Sequence, residues 1–256
     1  MLAASAGRRL TIIDPSTFKY SSAPPSPSKQ TALDVEFSSL TWNHDNTALF
    51  VAADGTIRKY DSSGHFNKIL HTANDKICHM TIKDASELIY TKGKEVCIVD
   101  CLTGDVVESI EVHDMDIKAI SLSNDSSLLA VASASKCIVY DLNEAPAACL
   151  STFDTESDSS FTACVFHTHT RSRLLLSSGQ YCLVYDVSKS PSLIKRIPLM
   201  PSSITKITGE VVAVTCSPFS KSLVAVGCSG GLISLIDMEK EKRYVLLFCY
   251  SDESCE

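Results

Sequence analysis

Four short stretches of this chain carry residue types that do chemistry. In "VAVGCSGGLISLID" (224–237), Cys228 and Ser229 stand among glycines, as the nucleophiles of hydrolases often do. Such a nucleophile needs a neighbouring base, held in turn by a carboxylate. His167-Thr168-His169 would set two imidazoles on one side of an extended segment, the beginning of a zinc site. Asp114 and Asp116 flank Met115 and could offer oxygens to a hard cation. Ser26-Pro27-Ser28-Lys29 fits the S-P-x-K pattern of proline-directed cell-cycle kinases.

What these residues do depends on the elements that hold them. The chain has 256 residues, 45% hydrophobic and 21% charged, enough for one large domain or two small ones. A net charge of -7 weighs against nucleic-acid binding, which needs clustered Lys and Arg to neutralise phosphates. No apolar run approaches the roughly 18 residues needed to cross a bilayer. The opening "MLAASAGRRL" has its arginines after the small apolar stretch, the wrong order for a secretory signal. The eleven cysteines are scattered singly, mostly inside apolar runs such as "EVCIVD" and "FTACVF", and none forms a C-x-x-C pair. They read as small buried hydrophobes in a reducing compartment, which places the chain in the cytoplasm or nucleus without a structural metal.

The glycine-rich stretch has relatives within the chain. "LFVAADGTIRKYD" ends at Asp61, "LIYTKGKEVCIVD" at Asp100, "LLAVASASKCIVYD" at Asp141 and "LLLSSGQYCLVYD" at Asp186. The N-terminal "MLAASAGRRLTIID" ends at Asp14, and the stretch itself ends at Asp237. Each is an apolar run, a short Gly/Ser/Asp/Lys break, an alternating run and an aspartate. The aspartates are spaced by 47, 39, 41, 45 and 51 residues. Runs of this length rich in Val, Ile, Leu and Tyr suit strands. Ahead of five of them lies another alternating run: 38–43, 77–82, 117–122, 161–166 and 211–216. After each of the same five aspartates comes a fourth: "FNKILH", "VVESIE", "ACLSTF", "LIKRIPL" and "RYVLLF". Four strands per unit at this period predict an all-β fold of β-propeller blades over residues 1–249, with an acidic tail at 250–256. The first unit lacks its first strand, leaving 23 strands, one short of six blades. A chain of this kind reads as shortened relative to a seven-bladed ring, and an open ring leaves an unpaired edge.

Placed in that frame, most of the chemistry dissolves. Residues 228–231 occupy a hairpin break, where Gly230 and Gly231 supply positive φ, and no repeat brings a His and a carboxylate to it. No catalytic or cofactor-binding residue is assigned. His167-Thr168-His169 has no Cys or carboxylate partner and reads as a surface loop. Asp114 and Asp116 lack neighbouring oxygen ligands. The repeat aspartates read as turn formers, accepting backbone N–H bonds after the third strand.

These units resemble the WD40 repeat. The best matches are "DGTIRKYD" (54–61), "HDMDIKAISLSNDSSLLAVASASKCIVYDL" (113–142) and "TCSPFSKSLVAVGCSGGLISLID" (215–237). His113 falls where the family carries its Gly-His element. The departures are plain: the Trp before the repeat Asp is replaced by Ile13, Tyr60, Val99, Tyr140, Tyr185 and Ile236, and Trp42 lies on a first strand. No unit holds the family's full His, Ser/Thr, Trp and Asp tetrad. Cohesion between blades should therefore come from apolar burial, at roughly 25 cal/mol per Å², and not from a buried polar network.

The resemblance implies a non-catalytic scaffold for other proteins. A phosphoinositide-binding propeller would carry F-R-R-G, where this chain has only "GRRL" at 7–10. Receptors of cullin ligases often place Arg two residues after the repeat Asp; here those positions are Ser16, Ser63, Leu102, Asn143, Ser188 and Glu239. Residues 1–14, 37–53 and 209–227 resemble the N-terminal propeller of the WD-repeat family that brings γ-tubulin ring complexes to spindle poles. That likeness implies a targeting propeller in the cytoplasm at microtubule-organising centres. The alternative is an adaptor of another complex, in ubiquitin ligation, trafficking or RNA processing. The Pro/Ser loop at 21–30 carries Ser26, where phosphate would add about −1.5 to −2 charge. The insertion at 191–210 mixes Lys195, Arg196 and Lys206 with Ile, Leu and Met and is the candidate partner-binding loop.

Overall fold

Alternation of apolar and polar residues becomes strand wherever the chain is described, and among the described residues every helix or strand is a strand. The computed structural model describes residues 2–6, 9–14, 19–22, 36–111, 115–155, 159–179, 181–188, 191–198, 211–229, 232–240 and 242–248. The chain divides into two units, Met1–Ile117 and Lys118–Glu256.

The first unit holds three sheets. One is three-stranded: β1 (Leu2–Ala6), β2 (Arg9–Asp14) and β3 (Lys19–Ser22). The next contains β4 (Phe37–Trp42), β5 (Ala48–Ala53), β6 (Thr56–Asp61) and β7 (Phe66–Thr72). The third contains β8 (Ile77–Ile82), β9 (Glu87–Lys92), β10 (Glu95–Asp100) and β11 (Val106–Glu111). The second unit, whose boundary falls one residue into its first strand, repeats the pattern. Its sheets are β12 (Ile117–Leu122), β13 (Leu128–Ser133), β14 (Lys136–Asp141) and β15 (Ala148–Asp154); β16 (Phe161–Phe166), β17 (Arg173–Ser178), β18 (Tyr181–Asp186) and β19 (Ser192–Pro198); and β20 (Val211–Cys216), β21 (Leu223–Cys228), β22 (Leu232–Asp237) and β23 (Lys242–Phe248). Every sheet pairs consecutive strands antiparallel in chain order.

Burial follows strand position. The second strands β5 and β13 are buried at all six residues, because a sheet packed on both faces needs apolar residues at odd and even positions alike. The fourth strands β7 and β15 are largely exposed. Phe50, Ala52 and Ile57 pack with Leu88, Tyr90 and Val99 of the following sheet in the first unit. In the second, Leu128, Val139 and Phe153 meet Phe161, Leu174 and Leu183, and Leu175, Val184 and Ile197 meet Val211, Val224 and Ile236. Full burial of one such side chain stabilises by roughly 1.5–3 kcal/mol.

A regularity invisible in the sequence recurs in all five four-stranded sheets. Between the third and fourth strands the register slips at Lys59/Tyr60, Ile98/Val99, Val139/Tyr140, Val184/Tyr185 and Leu235/Ile236. These are always the two residues ahead of the repeat aspartate. A bulge there inserts an unpaired residue and sharpens the strand twist. The β5–β6 hairpin turns through Asp54 (φ 44) and Gly55 (φ 75), the double positive φ that a two-residue connection demands. At the Pro/Ser segment the strand runs further than the sequence suggests: Ser21 and Ser22 end β3, opposite Ile12 and Thr11.

Candidate functional site

The repeat aspartates close their sheets in one manner. Asp Oδ1 accepts from the backbone N–H two residues on: Ser63 at 2.8 Å from Asp61, Leu102 at 2.8 Å from Asp100, Asn143 at 2.9 Å from Asp141, Ser188 at 2.8 Å from Asp186 and Glu239 at 3.0 Å from Asp237. Backbone N–H donors, led by those of His65, Thr103, Ser188 and Lys240, hold the carboxyls of Asp61, Asp100, Asp186 and Asp237 below the usual range. The backbone of Asp14 ends β2, and the turn after it lies outside the described residues.

The residue after the aspartate ties this turn to the loop between the first two strands. Cys101, Leu142, Val187 and Met238 are buried, and their N–H groups donate to the carbonyls of Ser86, Ser127, Ser172 and Ser222 at 2.6, 2.8, 2.7 and 2.8 Å. Two sets of loops thus gather at one end of each of these four sheets. Three of the first-to-second-strand loops have their own acid: Asp45 holds Thr47, Asp84 holds Ser86, and Asp125 holds Ser127. Sequence reasoning passed over this second set, whose only signal is Asp followed two residues later by Ser or Thr.

In the second unit these loops are built into one another. Burial would raise the Asp125 carboxyl, but the hydroxyls of Ser123 (2.6 Å) and Ser127 (2.7 Å), the Ser127 N–H and Arg171 outweigh it and bring it down to about 2. Arg171 Nε reaches Asp125 Oδ2 at 3.0 Å and joins the 123–127 loop to the 167–172 loop. His167 is only 2% exposed, not the surface residue the sequence implies. Its Nε2–H donates to the Lys221 carbonyl at 2.8 Å, while its Nδ1 accepts the His169 N–H at 3.2 Å. Burial pushes its pKa down, because the imidazolium loses its hydration. Thr168 Oγ1 donates to the Ser217 carbonyl at 2.9 Å, and Ser217 Oγ in turn accepts the N–H groups of Phe219 and Ser220. The loop so fastened holds Phe219 out with 96% of its surface exposed.

The other candidates fall as follows. Cys228 ends β21 and is buried among Val211, Val226 and Ile236, so the hairpin break begins at Ser229. Gly230, Gly231, Ser26, Lys206, His113 and Asp114, with residues 23–30 and 250–256, lie outside the described residues. Lys195 and Arg196 stand on β19. Lys195 Nζ donates to the Met238 carbonyl at 2.8 Å, and Arg196 lies 3.9 Å from the centre of the Tyr181 ring. Lys195 thus ties its sheet to the next, while Arg196 packs on the neighbouring strand of its own sheet. Lys68 of β7 is the counterpart of Lys195 by register and donates to the Leu102 carbonyl at 2.9 Å. Beside it, His71 Nδ1–H donates to the Gly104 carbonyl at 2.8 Å and Nε2 accepts the Tyr90 hydroxyl at 2.9 Å. Polar contacts between neighbouring sheets therefore supplement apolar burial, contrary to the sequence expectation. Burial raises the thiols of Cys101 and Cys216 to about 11 and of Cys164 and Cys182 to about 12, the opposite of a nucleophile's requirement. Among the described residues no three His, Cys, Asp or Glu side chains are grouped to hold a metal ion, and no helix is long and apolar enough to cross a membrane.

Four-stranded antiparallel sheets in succession, closed by aspartate turns, define the WD40-type β-propeller fold. A chain from the crystal structure of the mitotic checkpoint complex shares it, with a TM-score of 0.75 and 13% identity over 97% of this chain and 74% of that one. Solved chains matching this fold number 1622, so the fold alone points to no single function. No family model and no curated protein matches the sequence.

Proposed function

We propose that this chain is a non-catalytic protein-interaction scaffold, and that it serves as a targeting propeller for γ-tubulin-containing, microtubule-nucleating complexes at spindle poles. The observation that carries the scaffold reading is the set of turn-fastened loops at the sheet ends. Loops fastened at their start by Asp61, Asp100, Asp141, Asp186 and Asp237 present side chains at reduced entropic cost, as a docking platform requires. One of its structural neighbours comes from the mitotic checkpoint complex, which supports a reading with protein partners. The finer reading rests on the likeness of residues 1–14, 37–53 and 209–227 to the spindle-pole propeller family. Ser26 would place that targeting under cell-cycle kinases.

The test is to express residues 1–256 with a fluorescent tag in dividing cells, image the tag and probe the purified material for γ-tubulin. Concentration at spindle poles supports the reading. A diffuse signal without pole enrichment overturns the targeting role and leaves an adaptor of another complex.

A further inference from the structure

We propose that β1 is a docking strand: its open edge accepts an extended six-residue segment of a partner protein, which completes the β1–β3 sheet. The proposal names the kind of partner for the scaffold and rests on that reading. Five sheets have four strands, and this one has three among the described residues. The register shows which strand it lacks. Leu2 stands opposite Ile13, the residue before Asp14, as Leu49, Leu88, Leu129, Leu174 and Val224 stand opposite the residues before the other five repeat aspartates. β1 is therefore a second strand, and it lies against β4 of the next sheet as β5 lies against β8. Its sheet lacks a first strand. Ala6 and Arg9 close a two-residue hairpin, so Leu2, Ala4 and Ala6 bond to β2 while Ala3 and Ser5 turn their backbone N–H and C=O groups to the open edge. Natural sheets blunt such edges with charge, proline or bulges. Leu2–Ala6 contains no charged residue and no proline, and its pairing with β2 runs without a register shift.

The five first strands say what fits beside β1. "FSSLTW", "ICHMTI", "IKAISL", "FTACVF" and "VVAVTC" share apolar residues at positions one, four and six and Ser, His or Ala at position three. Ile77, Ile117, Phe161 and Val211 at the first position are buried, and Leu40, Met80 and Val214 at the fourth pack into the apolar clusters. In the sheets begun by β4, β8, β16 and β20, the first residue stands opposite the last of the second strand, and the sixth opposite its Leu or Val. The docked segment thus runs antiparallel to β1, its first residue opposite Ala6 and its sixth opposite Leu2. Main-chain bonds to Ala3 and Ser5 supply affinity, and the apolar positions supply selectivity. No six-residue stretch outside the strands of residues 1–256 has this pattern, so the docked segment is a partner's.

The probe is a fluorescently labelled peptide with this chain's own first-strand sequence, "DIKAISLS" (116–123), titrated against the 1–256 chain by fluorescence polarisation. Saturable binding is expected, and Ile120→Asp in the peptide should abolish it. In the docked register the Ser121 amide of the peptide faces β1 and the Leu122 amide faces away. N-methylation at Ser121 should therefore weaken binding about tenfold or more, and at Leu122 no more than about twofold. The Ser5→Pro chain loses one edge N–H but keeps its bonds to β2, and it should bind the peptide about tenfold less at an unchanged Tm. Equal losses at the two methylated amides, or none from Ser5→Pro, overturn the proposal. So does the absence of saturable binding. A dimer in sedimentation velocity that Ser5→Pro dissociates makes the occupant a second copy and overturns it too. Each of these failures leaves the turn-fastened loops, and with them the scaffold reading, in place.

Discussion

Replacing Gly104 by alanine tests whether the turn after a repeat aspartate really fastens neighbouring sheets. Gly104 has φ +84, and a Cβ built on it would lie 1.9 Å from the Leu70 carbonyl oxygen of β7. Two costs add. An L-residue in the left-handed region loses about 1–2 kcal/mol. The overlap must then be relieved by more than about 1 Å of backbone movement, since ordinary contact begins near 3.4 Å. Because the oxygen belongs to main chain, β7 and the 101–105 turn must part. That breaks the His71–Gly104 and Lys68–Leu102 bonds, each contributing about 0.5–1.5 kcal/mol net. The total is about 3 kcal/mol, or roughly a 6–12 °C fall in Tm for a domain of this size. Gly93→Ala is the control: φ is also positive (+52), but the nearest atom is Asp75 Oδ2 at 3.9 Å, so only the torsional cost applies. The assay is thermal unfolding followed by circular dichroism on both variants. If Gly104→Ala melts within about 2 °C of Gly93→Ala, the close approach of β7 to this turn is not a structural requirement and the reasoning fails.

Further outcomes follow from the same contacts. His71→Ala removes the acceptor of the buried Tyr90 hydroxyl and the donor to the Gly104 carbonyl and should cost about 1–3 kcal/mol in urea unfolding, whereas Tyr90→Phe should cost less. The His167 pKa is depressed by burial, so the unfolded chain binds this proton first; stability should be full above about pH 6.5 and decline as pH falls toward the folded value. His167→Gln, which can still donate to the Lys221 carbonyl, should flatten that part of a Tm-against-pH curve. Asp125→Asn should reduce the loss of Tm between about pH 4 and 2, because the wild-type carboxyl, at about 2, stays ionised in the fold after the unfolded one has taken its proton. Among the described cysteines, exposed Cys149 and half-buried Cys78 should react first with a thiol reagent in the native state, and buried Cys137, Cys164 and Cys182 only after unfolding, as read by peptide mass mapping.

The strand layout was legible because it rests on the strongest local signals. Period-two alternation at 77–82 and 161–166 placed β8 and β16 to the residue, and the break-then-aspartate pattern located all six third strands. The loop surface was less legible. His167 reads as exposed because two neighbouring threonines and a third polar residue surround it, and only the fold brings the Lys221 carbonyl, 54 residues away, to its ring. Lys195 and Arg196 read as a binding patch because exposed cations and engaged ones look alike in sequence. Phe219 was passed over inside "TCSPFSKS", where an aromatic next to a strand suggests core; what exposes it is the Ser217 turn that carries it away from the sheet.

The same distinction explains why the fold is recognisable in three dimensions while no family model matches the sequence. Family models weight the positions that a repeat shares, and here the shared Trp and its tetrad have been replaced by Ile, Val and Tyr. The tetrad's task of fixing neighbouring sheets persists, but each seam solves it separately. One uses His71 and Lys68 against the 101–105 turn, and another uses His167, Thr168 and Lys195 against Ser217, Lys221 and Met238. Most of these bonds end on a backbone carbonyl, which constrains the partner's position without constraining its residue type. A seam closed in this way leaves almost no pairwise signature in the chain. What remains common to the five four-stranded sheets is what backbone geometry demands: the aspartate that accepts the N–H two residues on, and the bulge just ahead of it.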